Sequence, residues 1–145
     1  MNQTQIFVSF DIEHDRELFE ALRSQSSSFG FAVLGCSERH TATDVWNDRA
    51  RRRIRKADQV IFICSEHTEA SASMSTEIRI AQQEGTPYFL LWGRPEIMCT
   101  KPVGAKSAEG MYMWSPQVLQ DQIAIASRST QTGEIAQTLR NSWKR

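Results

Sequence analysis

Val60-Ile61-Phe62-Ile63-Cys64 is apolar at every position, and this run constrains the fold more than any other part of the chain. A strand with one wet face alternates apolar and polar residues. A strand apolar on both faces must be covered from both sides, as happens at the centre of a parallel sheet. Downstream lies Ser71-Ala72-Ser73-Met74-Ser75-Thr76-Glu77-Ile78, which reads as a helix opening on small residues. Together the two segments put Glu77 at the carboxyl edge of the sheet, where open α/β folds form their ligand crevice.

The rest of the chain alternates strand-like and helix-like segments, as an α/β fold requires. Residues 5–10 read as a first strand, and 13–24 as a helix with Leu18, Phe19 and Leu22 on one face. Residues 24–28 read as a loop, and after Gly30 residues 31–35 form a second strand. Residues 44–56 carry Trp46, Ala50 and Ile54 at helical spacing, and 58–64 make the central strand. The helix over 71–84 has Met74, Ile78 and Ala81 on one face and ends at Gly85-Thr86-Pro87. Residues 88–92 are a fourth strand. The loop over 93–110, with Pro95, Pro102 and Gly104, has a length usually associated with function or disorder. Residues 111–114 form a short fifth strand, and Ser115-Pro116 opens a last helix. The expected division is one domain over 1–126, then a linker with a short amphipathic helix (Ile135, Leu139, Trp143) over 127–145.

Composition narrows the partners. Lys+Arg and Asp+Glu balance at 17 each in 145 residues, so no general field attracts nucleic acid or an anionic membrane. The apolar runs are strand-length, too short to span a bilayer, and no secretory pattern precedes the first strand. The three cysteines form no CxxC pair, which argues against a zinc knuckle or redox motif, and Cys64 reads as a core hydrophobe. A reduced, cytoplasmic protein is expected, with no nucleic-acid or membrane partner.

Four pieces, in this order, resemble the TIR domain, and within it the bacterial TIR-like proteins of Thoeris antiphage defence (the ThsB-like group). They are Ile6-Phe7-Val8-Ser9-Phe10 followed by Asp15; residues 57–63 with Ser65 and Thr68 beyond; Ser71-x-x-Met74-x-x-Glu77-Ile78; and Gly85-Thr86-Pro87. The match covers about residues 5–92. The resemblance implies a flavodoxin-like three-layer sandwich with a five-stranded parallel sheet of order 2-1-3-4-5. It also implies an enzyme that cleaves NAD at the nicotinamide-ribose bond, with a cyclic ADP-ribose-type nucleotide as product. NAD would be the substrate, with no metal or further cofactor. Self-association and a downstream effector reached through the nucleotide product belong to the same implication. Two positions depart from the family pattern. Ser73 stands four residues before Glu77, where many NAD-cleaving relatives carry an aromatic, and residues 35–40 lack the Pro-Gly of receptor TIR loops.

The chemistry needs few groups. Nicotinamide leaves as a neutral base from a cationic precursor, through a transition state resembling an oxocarbenium ion that a carboxylate stabilises. Glu77 is the candidate catalytic group; its alternative is a solvated helix carboxylate. Ser9, Phe10 and Asp11 leave the first strand at the same edge. Phe10 can stack on the ligand or fill the core, and amides near Asp11 can face a pyrophosphate. Asp15 reads as a cap or partner within the first helix. Arg39, in the loop with His40, offers a cation to phosphate, and Trp46 either closes over the site or packs. Met74 joins the substrate-binding set through the resemblance, and Lys101 and Lys106 on the long loop can approach a dinucleotide. The run Arg49, Arg51, Arg52, Arg53, Arg55, Lys56 reads first as a solvated helix face, alternatively as an interface.

Rival readings fail on specific absences. A response regulator needs an aspartate ending the central strand, which here ends Cys64-Ser65. No Gly-x-Gly-x-x-Gly follows the first strand, and no nucleophile elbow is present. A non-catalytic homotypic interaction module and a nucleoside ribosyltransferase remain compatible with the same fold.

Overall fold

The structure is a computed structural model that describes residues 3–126. Both the linker and the amphipathic helix expected over 127–145 lie outside the described residues. Strands β1 (Thr4–Ser9), β2 (Phe31–Cys36), β3 (Gln59–Cys64), β4 (Tyr88–Trp92) and β5 (Met111–Met113) form one parallel sheet in the order β2-β1-β3-β4-β5. Helices α1 (Arg16–Ser24), α2 (Ser26–Phe29), α3 (Asp44–Lys56), α4 (Ala72–Glu84) and α5 (Pro116–Ala126) flank it. The order and connections are those of the flavodoxin-like class.

The pleat divides the core into two layers. Phe7, Val60, Phe62, Cys64 and Leu90 face α3 and α4, meeting Trp46, Ala50, Ile54, Met74, Ile78 and Ala81. Ile6, Val8, Ile61, Ile63, Phe89 and Leu91 face the other way, onto Phe19, Leu22, Leu119 and Ile123. All six residues of β3 are buried. Each large side chain so covered contributes roughly 1.5–3 kcal/mol of transfer free energy, which explains why β3 tolerates no polar position between Val60 and Cys64.

Several boundaries differ from expectation. The first helix begins at Arg16 rather than residue 13, because the Asp11 carbonyl accepts the amides of His14 (3.3 Å) and Asp15 (2.8 Å) in a turn. Residues 24–28 are not a loop: a short helix, α2, continues over Ser26–Phe29, with Phe29 packed against the core. Asp58 stands outside β3, exchanging bonds with Gln5: its amide donates to the Gln5 carbonyl and its carboxylate accepts the Gln5 amide, both at 2.7 Å.

The loop over 93–110 is tied to the body of the protein. The Thr100 amide donates to the Ser65 carbonyl (2.9 Å), Gln82 donates to the Gly104 carbonyl (2.9 Å), and the Tyr88 hydroxyl donates to Glu109 (2.6 Å). The loop's own Cys99 is buried in the core on the α3/α4 side. The loop therefore covers α4 and β4 as a structural flap.

The basic run on α3 is not a merely solvated face. Arg49 and Arg53 pair with Glu38 beyond β2, and Arg51 and Arg55 pair with Glu84 at the end of α4. These pairs stitch α3 to both neighbours.

Gly93, just after β4, has no space for a side chain. A Cβ there would lie 2.7 Å from the Cys64 carbonyl oxygen and 2.9 Å from Leu18. Leu18 can shift, but the carbonyl belongs to the central strand and cannot. Gly93→Ala is expected to cost about 1–3 kcal/mol. Gly110→Ala, with nothing within 4 Å of the new methyl, is expected to leave the urea midpoint unchanged. Equal midpoints for the two variants would remove this account of Gly93.

Candidate active site

Glu77 lies inside the protein, 1% exposed, on the inner face of α4. Its Oε1 accepts two hydroxyls: Ser9 Oγ at the end of β1 (2.6 Å) and Ser37 Oγ just beyond β2 (2.7 Å). The Phe10 amide donates to the same Ser37 oxygen (3.1 Å), which leaves the Ser37 proton free to point at Glu77. The solvated-carboxylate reading is thereby corrected. The carboxyl is a buried hub joining three elements.

Ser37 reaches this side of the sheet through an irregularity. Phe31 and Val33 belong to the α1/α5 layer, and strict alternation would turn Ser37 the same way. The β1–β2 register shifts by one residue between Ile6 and Phe7, and such a shift exchanges the faces of everything beyond it.

Burial pushes the Glu77 pKa from 4.5 up to about 8; the Ser9 and Ser37 hydroxyls work against that rise, and the nearby Glu38 charge adds to it. The group is therefore largely protonated at neutral pH.

Two open cavities lie above this hub at the carboxyl edge, where β1 and β3 mark the reversal of strand order. The first, about 390 Å³, is lined by the β1–α1 loop (Asp11 to His14), Arg39, His40, His67 and the start of α4 (Ala70 to Ser73). The second, about 570 Å³, runs along Cys36, Ser37, Glu38, Thr41, Thr43 and Trp46. Ile12 and Arg39 line both, so the two adjoin with a cation at their partition. The loop bearing Arg39 and His40 holds Ala42 at φ 54°, a left-handed conformation that costs a non-glycine residue about 1–2 kcal/mol.

The predicted residues fall into three groups. Ser9 and Glu77 meet directly, and Asp11 and Arg39 line the cavities. Trp46 also lines the second cavity, but it is mostly packed, with the His40 ring edge-on at 4.5 Å. Phe10 and Met74 line neither cavity: both are fully buried, Phe10 stacked on Phe19 at 4.8 Å in the α1/α5 layer and Met74 among the α3/α4 core residues. Lys101 and Lys106 also line neither cavity. The flap carries them away from both cavities, with the Lys101 ammonium on the Ser107 carbonyl and the Lys106 amide on Glu109.

Asp15 does not pair within its own helix. It is fully buried, accepts the Ser65 hydroxyl at the end of β3, and pairs with Arg94 at 2.9 Å. Arg94 also meets Glu17 and Glu66, each at 3.2 Å. One guanidinium thus holds the β1–α1 and β3–α4 loops together, which fixes the first cavity's walls.

The side chains that sequence reasoning missed are Ser37, His14 and His67. His14 and His67 stack at 4.0 Å with ring planes 15° apart, and His14 Nδ1 lies 2.5 Å from Asp11 Oδ2. The Asp11 contact raises the His14 pKa. The available signal was position: both histidines follow strands that flank the switch point.

No protein-family model matches the chain, and no curated protein matches it in sequence. Among the described residues, no helix is long and apolar enough to cross a membrane. The class defined by fold and site is a flavodoxin-like α/β domain with a two-part polar crevice over a buried glutamic acid.

The Glu77 ionisation sets a stability signature. The folded-state value lies above the ordinary 4.5, so the bound proton stabilises the fold fully below that pH. The contribution is lost as pH rises through about 8. Glu77→Gln keeps an acceptor for both serines and has no proton to lose. It should match wild type near pH 4.5 and exceed it above pH 8, by an amount on the order of several kcal/mol. Urea unfolding of both proteins across this range checks the difference; parallel profiles would refute the assignment.

Proposed function

We propose that this chain is a TIR-like enzyme that binds NAD across the two adjoining cavities and cleaves its nicotinamide-ribose bond. The observation that carries the reading is Glu77: a carboxyl at the switch point, one hydrogen bond beneath the crevice and oriented by two serine hydroxyls. Two neighbouring cavities of this size suit the two halves of a dinucleotide. Arg39 at their partition suits the pyrophosphate between them.

The proposed chemistry is electrostatic. As the glycosidic bond breaks, positive charge develops on the ribose, and an ionised Glu77 stabilises it in surroundings that water does not screen. Ser37 stands between Glu77 and the second cavity. Ligand entry would exchange the Ser37–Glu77 bond for bonds to the ribose hydroxyls. A cationic ring near Glu77 also favours the ionised form. The bound ADP-ribosyl cation left by the departing nicotinamide is then captured at its anomeric carbon by water, which loses a proton to give ADP-ribose, or by a nucleophilic atom of its own adenosine half, which gives a cyclic signalling nucleotide read by a separate effector in antiphage defence. Base stacking falls to Trp46 or to a second copy of the chain, since Ser73 is small and Phe10 is committed to the core.

Purified protein incubated with NAD, both dilute and under conditions that promote assembly, should release nicotinamide. Glu77→Gln and Glu77→Ala should each lower release at least about a hundredfold, since a group of this kind supplies several kcal/mol of charge stabilisation. The free-enzyme kcat/KM should rise with pH and level off above about 8, because the carboxylate is the working form. Wild-type turnover by a folded Glu77→Ala protein would sink the proposal.

One observation favours a second reading, a non-catalytic module assembling through homotypic contacts. Glu77 is sealed and largely neutral, as a carboxyl serving only the fold would be. Absence of nicotinamide from an assembled wild-type sample would select this reading.

A further inference from the structure

The first cavity holds two histidines that the dinucleotide reading does not use, beside the Asp11 carboxylate. Asp11, His14 and His67 each offer one donor atom, and the three atoms lie within 4.8 Å of one another. We propose that they form a binding site for one divalent transition-metal ion of the zinc class. The inference is independent of NAD cleavage.

The local folding explains why they meet. The turn closed on the Asp11 carbonyl brings His14 back over its own loop, with the two side chains three residues apart and in contact. His67 arrives from the β3–α4 connection, where its amide donates to Ser65 Oγ at 3.0 Å. Two of the chain's three histidines therefore converge from separate loops, and Arg94 holds those loops together by pairing with Asp15 on one and Glu66 on the other.

The donor set selects the ion. Two imidazoles and one carboxylate suit borderline divalent metals rather than calcium or magnesium, which prefer oxygen. Three protein donors leave a coordination position for water or an anion, here facing the first cavity. Donors on a tetrahedral zinc lie roughly 3.4 Å apart at bonds of about 2.0–2.1 Å, so a pair at the 4.8 Å limit has about 1.4 Å to close. The imidazoles can make that movement, since the His14 side chain is 52% exposed and that of His67 36%. Both can pivot out of their stack without disturbing the core. Metal-bound histidines commonly rest their second ring nitrogen near a carboxylate, and Glu66 Oε2 lies 3.7 Å from His67 Nε2. Acidic Glu13 also borders the cavity.

The test uses tag-free full-length protein, with Zn²⁺ titrated in competition with a chromogenic chelator. Wild type is expected to take one equivalent. His14→Ala and His67→Ala should each weaken binding by roughly tenfold or more, while His40→Ala and Cys36→Ser leave it unchanged. Because His14 and His67 are surface residues, circular dichroism should show every variant folded, and Asp11→Asn provides a third, near-isosteric ligand change. Co²⁺ substitution should give the intensified visible absorption of a low-symmetry four-coordinate site, lost in His67→Ala. Failure of wild type to compete for Zn²⁺, or equal affinity in wild type and both histidine variants, would overturn the proposal.

Discussion

One buried carboxyl joins the parts of this protein that have to stay in register. Glu77 reaches from α4 to the ends of β1 and β2 and accepts a hydroxyl from each. Taking a carboxylate out of water costs more than two neutral donors return, so the group responds by holding its proton. That compromise has a structural consequence. A neutral acid can remain beneath the crevice without a cation beside it, so α4 can lie close against the sheet edge. A permanently charged partner such as arginine would have needed more volume and its own hydrogen-bonding shell.

The crevice above depends on two longer-range devices. The register shift in β2 turns Ser37 toward α4; without it the carboxyl would have Ser9 alone and the second cavity would lack its connection to the hub. Arg94 does the corresponding work for the first cavity. Its partner Asp15 is fully buried, and the contact leaves little freedom to the turns that carry Asp11, His14 and His67. An exposed arginine–carboxylate pair contributes little, but breaking one whose carboxylate is buried strands a charge in the core. The stiffness of the cavity walls therefore has an energetic cause.

Much of the scaffold was legible because local pattern and burial agree. Val60 to Cys64 admit only a central strand, and Trp46, Ala50 and Ile54 point to the core as their spacing requires. The burial of two expected site residues was also legible. Ser9 and Phe10 are neighbours on a pleated strand, so they cannot both face Glu77; Phe10 shares its parity with Ile6 and Val8 and follows them into the opposite layer. Met74 sits one turn before Ile78 and goes with it into the α3/α4 core. The position of Ser37 was not legible, because a one-residue shift leaves no mark in a stretch such as Leu34-Gly35-Cys36. Nor was the path of Lys101 and Lys106, which is set by distant hydrogen bonds from Thr100 to Ser65, from Gln82 to Gly104 and from Tyr88 to Glu109.

The two halves of the crevice differ in a way that bears on how it works. The first half is lined by imidazoles and by the carboxylates of Asp11 and Glu13, donor types that suit borderline divalent metals. The second is lined by Ser37, Thr41, Thr43 and the edge of Trp46, with Glu38 at its rim held in an ion pair by Arg49. Glu77 connects to the second half through Ser37, while its helix presents Ser73 to the first, one turn before it. A ligand spanning both halves would meet imidazoles at one end and hydroxyls at the other, with Arg39 between them. A carboxyl kept neutral at rest can then be ionised by the arrival of positive charge on that ligand. In the proposed reaction, positive charge develops on the ribose as the bond breaks, so the same burial that stabilises the resting fold would concentrate the electrostatic response at the transition state.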